Sequence, residues 1–265
     1  MSRMNRRGRY YSNPNPVNTS RQVSEQQDEM VLRAQQLDER VESGAQCRVR
    51  FFNAAAGYGD LMVQVDNKTV SDKLAFGGIT SYDMIDEGYQ MVTITMLNQP
   101  QSIILSKRMP FRNCANTTAA IINTATGIDI LMINDSGCRT SSENMACFRV
   151  ANLSYTSPAL DVILENGNPV FEDIRFKQVT EYKQAVPEEY NFNVMLTRET
   201  ETIKTDSMDV ILPEQPVEEG GYPGENEAAY AYFFEEFEPQ KRYTAFIIGN
   251  RNYEPTLRVE TIEAE

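Results

Sequence analysis

The sequence predicts an all-β fold of two tandem antiparallel β-sandwiches, preceded by a basic tail and one short amphipathic helix. Two observations predict this fold. From Cys47 onward, short β-branched segments are bounded by Gly, Asn, Asp or Pro, and these segments recur as two related copies. The number and shortness of the segments favour sandwiches.

The N-terminal region differs from the rest of the chain. Residues 1–21 contain five Arg and no acidic residue, and they lack apolar periodicity, so we expect a disordered basic tail. Residues 22–45 are predicted to contain an amphipathic helix, because apolar residues recur there at helical spacing. That stripe includes Val23, Met30, Leu37 and Val41. Such a short helix needs a packing partner, either its own chain or another copy.

Strands are predicted in order along both halves of the remaining chain. In repeat 1, assigned to residues 46–140, they are expected at 48–53, 60–66, 90–96, 102–105, 119–123 and 129–133. In repeat 2, assigned to 141–265, they are expected at 148–152, 160–164, 190–196, 202–205, 243–248 and 256–259. An acidic insertion at about 207–240 interrupts repeat 2 and is predicted to be a solvated interaction loop.

The repeat is supported by residues that match at a constant offset. At an offset of 99, Arg50 matches Arg149 and Asn53 matches Asn152. At an offset of 100, the matched pairs include Phe76 with Phe176, Thr80 with Thr180, and Tyr82 with Tyr182. A further slip matches Tyr89 with Tyr190, and Cys47 and Cys147 stand at nearly equivalent places. Because Thr80, Tyr82 and their matches Thr180 and Tyr182 recur in both copies, we expect core or strand-edge packing rather than catalysis for them.

Two segments, Arg48-Val-Arg-Phe-Phe-Asn53-Ala54 and Phe76-Gly-Gly-Ile-Thr-Ser-Tyr82, resemble motifs of a bacterial family called domain of unknown function 4397. Its R-V-R-V-V-H-A-S-P opening is similar to Arg48-Val-Arg-Phe-Phe-Asn53-Ala54, and its A-F-G-x-V-S-D-Y motif to Phe76-Gly-Gly-Ile-Thr-Ser-Tyr82. The resemblance covers about residues 47–265 and implies immunoglobulin-like sandwiches, often found in surface or envelope proteins, without established catalytic residues. Asn53 and Asn152 replace the family's usual His. Some members from spore-forming bacteria lack a signal peptide, so the resemblance also admits a spore-coat role.

Composition excludes much chemistry. The chain has no His, so it has neither an imidazole base nor an imidazole metal ligand. Its four Cys form no C-x-x-C pair, and we therefore predict a non-enzymatic protein without metal or cofactor. The net charge of −13 argues against nucleic acid as a partner. No segment approaches the roughly 18 apolar residues of a membrane span, and no apolar region follows the basic N-terminus.

Location and cysteine chemistry are linked. Without a signal peptide, the protein is expected to be made and retained in the cytoplasm, or deposited on a spore surface. The thiols are expected to be reduced and partly buried, unless the protein reaches an oxidising layer. In that case the candidate crosslinking residues are Cys47, Cys138 and Cys147.

The predicted function is structural. We expect a component of a bacterial envelope layer, with a spore coat as the most specific setting, that associates with itself or with other coat or envelope proteins through its helix and tail. The alternative is a carbohydrate- or peptide-binding sandwich that uses loop aromatics. Aromatics among the acids of the insertion also mark it as a partner surface. The candidate partner-binding residues are Tyr58, Tyr155, Tyr222, Tyr230, Phe233 and Phe234.

Overall fold

The structure, a computed structural model, describes residues 44–112, 115–138, 144–197, 210–212 and 229–264. These residues contain strands and no helix, so the predicted all-β class is confirmed. The predicted tail, all but the last two residues of the predicted helix region and the strand expected at 202–205 lie outside the described residues. Within the described ranges, no helix could cross a membrane.

The described strands fall into two sets of corresponding elements. Those of repeat 1 are β1 (Gln46–Asn53), β2 (Leu61–Val65), β3 (Lys68–Leu74), β4 (Asp83–Asp86), β5 (Gly88–Met96), β6 (Gln99–Phe111), β7 (Thr117–Thr124) and β8 (Gly127–Asn134). Those of repeat 2 are β9 (Ala146–Asn152), β10 (Leu160–Leu164), β11 (Pro169–Ile174), β12 (Lys183–Ala185), β13 (Glu189–Leu196), β14 (Val210–Ile211), β15 (Ala231–Glu236), β16 (Arg242–Ile248) and β17 (Arg258–Ala264).

Each repeat folds into two sheets with the same strand order. We name them sheet I (β3-β2-β5-β6), sheet II (β4-β1-β7-β8), sheet III (β14-β12-β9-β16-β17) and sheet IV (β11-β10-β13-β15). Apart from the extra strand β14, sheet III reproduces sheet II and sheet IV reproduces sheet I. The ladders are mostly antiparallel as predicted, but three pairs are parallel, namely β1 with β7, β9 with β16, and β12 with β14.

The correspondence extends to irregular features. An isolated antiparallel bridge joins Phe52 to Ile79 in repeat 1, and another joins Ala151 to Val179 in repeat 2. The first hairpin of each repeat also has a register shift at the equivalent place. The two copies therefore share one fold in detail, not only a similar strand count.

Three apolar clusters set the order of the sheets. One fills the space between sheets I and II, and a second fills the space between sheets III and IV. The third joins the remaining faces of sheets II and III, with Phe52 stacked on Phe246 at a ring-centroid distance of 4.5 Å. The sheets thus form four layers in the order I, II, III, IV. Strands β9 and β16 are buried on both faces, which explains their nearly continuous apolar sequences.

Two sequence predictions are wrong. Residues 231–236 form strand β15 instead of a solvated loop, because Ala231 and Phe233 alternate inward while their neighbours face solvent. The match of Tyr89 with Tyr190 is displaced by one residue. Leu61 pairs with Met96 and Leu160 with Leu196, so β5 and β13 correspond at an offset of 100 and Tyr89 corresponds to Glu189. A one-residue slip moves a side chain to the opposite face.

Candidate functional site and inter-repeat interface

A buried carboxylate lies in the connection between the repeats. Asp135 follows β8 and is fully buried. Its Oδ2 atom accepts hydrogen bonds from the hydroxyl groups of Thr118, at 2.6 Å, and Tyr82, at 2.7 Å. Arg149 Nη2 from repeat 2 donates to Oδ1 at 3.3 Å. Arg50 Nε from repeat 1 lies 3.6 Å from Oδ2. One carboxylate is therefore shared by guanidinium groups from both copies.

The surroundings of Asp135 repeat in the two copies. Three equivalent positions contribute, and they are Arg50, Tyr82 and Thr118 in repeat 1 and Arg149, Tyr182 and Thr244 in repeat 2. Each Arg Nε donates to the Thr hydroxyl of its own repeat, at 2.9 Å and 3.0 Å. Each guanidinium also lies over the Tyr ring of its own repeat, with centroid distances of 4.6 Å and 4.3 Å. Asp135 has no acidic counterpart, because the equivalent position in repeat 2 is Ala264.

Burial shifts the pKa of two side chains in this network, Tyr82 and Arg149. Burial, and next the hydrogen bond to Asp135, raises the pKa of the Tyr82 hydroxyl well above its usual range, so the phenol stays a donor. Burial lowers the pKa of Arg149, whereas the nearby Tyr182 and Asp135 raise it. Arg50 Nη1 donates to the Glu263 carbonyl of repeat 2, and Arg50 Nη2 has no hydrogen-bond partner among the described residues. The network thus binds both repeats together while leaving one buried donor unsatisfied.

A disulfide holds the connection that carries Asp135. Cys138 is bonded to Cys147 of β9, with 6.2 Å between their Cα atoms, a usual distance for a disulfide. Cys147 corresponds to Arg48 rather than to Cys47, which is buried in the core of repeat 1. Two of the three candidate crosslinking residues are therefore joined within the chain, and the third is buried. Crosslinks between copies through Cys138 or Cys147 would require exchange of this bond.

Reducing this disulfide, or replacing Cys138 with Ser, is expected to lower the free energy of unfolding by about 2 to 3 kcal/mol, because the bond closes a short loop in the unfolded chain. The two cysteines are nine residues apart in sequence. Urea unfolding with and without a reducing agent measures the effect. A Cys138→Ser variant that still responds to the reductant by this amount would contradict the prediction.

Asn53 and Asn152 have the same role in both repeats. Both are fully buried. Asn53 Nδ2 donates to the Leu74 carbonyl, and its Oδ1 accepts from the Ala55 backbone. Asn152 makes the equivalent bonds to the Ile174 carbonyl and to the Ser154 backbone. The side chains therefore hold the loop after the first strand of each repeat against the end of its third strand.

Replacing either Asn53 or Asn152 with Ala is expected to lower the free energy of unfolding by about 1 to 3 kcal/mol, because buried backbone groups lose their partners. The two losses should be similar, since the bonds are equivalent. The exposed Asn252 provides the control, and Asn252→Ala should change stability by less than about 0.5 kcal/mol. A loss confined to one repeat would contradict the shared role.

The structure describes five of the six predicted partner-binding residues, and they differ in exposure and in contacts. Tyr58 is half-buried against the core of repeat 1. Tyr155 is 42% exposed and lies edge-on to Phe176. Tyr230 accepts a hydrogen bond from Arg251 at 2.9 Å. Phe233 stacks on a core ring, so it contributes to packing, whereas Phe234 is exposed. Tyr222 lies outside the described residues.

Sequence reasoning missed other residues that face solvent or bridge the repeats. Tyr232 is 69% exposed beside Phe234 on β15, and Tyr89 is 53% exposed on β5. A period of two in the 231–236 segment could have revealed Tyr232. Asp135 lacked such a signal, because it occurs once in a two-copy sequence. Among the described residues, no group of three His, Cys, Asp or Glu side chains is placed to hold a metal ion.

These features define a tandem β-sandwich protein whose homologous repeats are joined face to face around one shared carboxylate. A family model described as Domain of unknown function (DUF4397) matches residues 47–163 and 146–215. The chain belongs to this family, as its motifs predicted. None of the curated proteins compared with the chain matches it.

Proposed function

We propose that the protein is a non-enzymatic assembly component of a bacterial envelope layer, with the spore coat as its specific setting. The observation that carries the proposal is the exposure of large apolar side chains on both outer layers of the four-layer body. Tyr89 and Met91 are exposed on sheet I, and Tyr232 and Phe234 on sheet IV. Grouped exposed aromatics favour a protein-contact surface, since such residues are enriched at interfaces.

The interior of the molecule supports this function. The contact between the repeats is apolar at Phe52 and Phe246 and ionic at Asp135, so it resembles a domain core rather than a transient interface. A building block that keeps its two outer faces in a fixed relation suits an ordered layer. The predicted helix at 22–45 and the basic tail at 1–21 supply further association surfaces in this proposal.

Association of the full chain tests the proposal. Sedimentation at increasing protein concentration should show growing species for the natural sequence. Leu37→Asp, on the apolar stripe of the predicted helix, should weaken association, and Gln36→Asp serves as a control with the same charge change off that stripe. A chain that stays monomeric at high concentration would overturn the proposal. Immunogold labelling of sporulating cells tests the setting separately.

A second candidate function is carbohydrate or peptide binding at one end of repeat 2. Tyr155 lies exposed in the loop after β9, and Tyr253 is 58% exposed in the loop after β16. The Thr156 hydroxyl accepts a hydrogen bond from the Arg251 backbone, which connects these loops. A glycan array should show binding that Tyr155→Ala abolishes, whereas a blank array together with intact association favours assembly.

A further inference from the structure

The outer faces of sheets I and IV carry different charges at equivalent positions. In sheet I, Met91 of β5 is opposite Arg108 of β6. In sheet IV, Asn191 of β13 is equivalent to Met91, and it is opposite Phe234 of β15. Extending both ladders by two residues gives four equivalent positions. They are Tyr89, Met91, Arg108 and Pro110 in sheet I, and Glu189, Asn191, Phe234 and Glu236 in sheet IV. The two repeats thus keep one backbone but have diverged in charge at this corner.

The corner of sheet I forms a basic patch, defined as Tyr89, Met91, Arg108 and Arg112. The guanidinium groups of Arg108 and Arg112 lie 5.6 Å and 5.1 Å from the centre of the Tyr89 ring. Arg112 Nη2 also donates to the Tyr89 hydroxyl at 3.0 Å. Neither Arg forms an ion pair with a described residue, so both charges remain available to a partner.

The corresponding corner of sheet IV forms an acidic patch, defined as Glu189, Tyr232, Phe234 and Glu236. Tyr232 and Phe234 are 69% and 53% exposed. Glu189 and Glu236 face each other across the β13–β15 ladder, on the same face as Phe234. Neither carboxylate is ion-paired within the described part of the chain. Each patch therefore combines exposed aromatic surface with unpaired charge, and the charges are opposite.

The layer order determines how the patches could meet. Sheets I and IV are the first and last layers, so their outer faces point away from each other and the two patches of one molecule cannot make contact. A contact between the basic patch of one copy and the acidic patch of the next is heterologous. Such contacts add copies head to tail instead of closing a two-fold dimer, and they give an open array when successive rotations do not close a ring.

We propose that the basic patch of one copy docks on the acidic patch of a second copy, which makes the four-layer body a unit of an open array. This inference rests on the proposed assembly function and names its partner and surface. On sheet IV the outward-facing Asp161 and Ile163 of β10 are buried, so the exposed part of the face lies on β13 and β15. With strands about 4.8 Å apart and a rise of about 3.3 Å per residue, these two strands offer about 200 Å². Stable interfaces bury about 800 Å² per partner, so each contact is weak and forms at high local concentration.

Reversing charges in the full chain tests the contact. The variant Arg108→Glu/Arg112→Glu gives a molecule with two acidic faces, and Glu189→Arg/Glu236→Arg gives one with two basic faces. Each variant alone should lose at least about tenfold in association constant by sedimentation, because like charges then face each other. An equimolar mixture should recover association, since both of its contacts are complementary again. Raising the salt concentration should weaken association of the natural chain.

The control reverses the same charges elsewhere on sheet I. Lys68 and Lys73 lie on the opposite edge, at β3, and both are exposed. Lys68→Glu/Lys73→Glu should therefore change association by less than about twofold. Circular dichroism checks that each variant remains folded. Since the mixture contains both patch variants, its recovery would also show that neither variant fails merely by misfolding.

The remaining outcomes separate this inference from the proposed function. If the natural chain associates and the patch variants associate equally well, the patch contact is overturned while the assembly function survives. If only the acidic-patch variant loses association, another basic segment such as residues 1–21 binds there, and the inference is again overturned. If the natural chain does not associate, both fail.

Discussion

Replacing Asp135 with Asn should lower the free energy of unfolding by about 3 to 5 kcal/mol, the usual consequence of removing one partner of a buried ion pair. The carboxylate is fully buried, and it is the counter-ion shared by Arg50 and Arg149. An amide carries no charge, so the two guanidinium groups would remain buried without a counter-ion. Urea unfolding followed by circular dichroism measures the loss.

Two further variants make this prediction specific. Asp173 pairs with Arg175 on the surface, where the two side chains are 52% and 73% exposed. Asp173→Asn should cost less than about 1 kcal/mol, because exposed ion pairs contribute little. Replacing Asp135, Arg50 and Arg149 together with Leu and two Met should restore much of the stability, since apolar replacement of a buried ionic group is often tolerated. Equal effects of Asp135→Asn and Asp173→Asn would contradict the assigned role.

The network shows what a two-copy sequence can reveal. Arg50 and Arg149 were found as matched positions, because any residue that packs in both copies leaves a repeated signal. The match also predicted that Tyr82 and Tyr182 have structural roles, and both rings lie against these guanidinium groups. Asp135 serves both copies from the connection, so it produces no repeated signal. Its position between the equivalent Arg residues of the two repeats is seen only in the three-dimensional structure.

Most of the strands that the sequence missed lie at sheet edges. Residues 68–74, which form β3, include three charged side chains and have a solvated face, so they lack the apolar alternation of a central strand. Strand β12 has three residues, fewer than a periodicity argument needs. Central strands such as β1 and β7 were predicted because each contains a group of buried apolar residues.

The candidate sites also depend on features that the sequence does not show, namely which face of a strand a residue occupies and which strands pair. Phe233 and Phe234 were both predicted to bind a partner because both are aromatic residues within the acidic insertion. Adjacent residues of a strand, however, face opposite sides of the sheet. The structure places Phe233 against the Phe192 ring at 4.8 Å and leaves Phe234 exposed. The basic patch was not predicted, because Arg108 and Tyr89 come from different strands. Their proximity depends on a ladder register that composition does not encode.

The apolar half of the inter-repeat interface gives the second large effect. Phe52 and Phe246 are fully buried, and their rings stack with an interplanar angle of 26°. Phe52→Ala or Phe246→Ala should each lower the free energy of unfolding by about 3 to 5 kcal/mol, because each leaves a cavity in a packed interior. The exposed Phe234 is the matched control, and Phe234→Ala should cost less than about 0.5 kcal/mol.

The double variant distinguishes a direct contact from two independent losses. Because each ring is the other's stacking partner, removing the second ring should cost less than removing the first. The coupling free energy from the double-mutant cycle should be about 0.5 to 1.5 kcal/mol. Additivity within about 0.3 kcal/mol would mean that Phe52 and Phe246 do not contact in solution. Since these rings come from β1 and β16, coupling between them is direct evidence that sheets II and III contact each other at this pair.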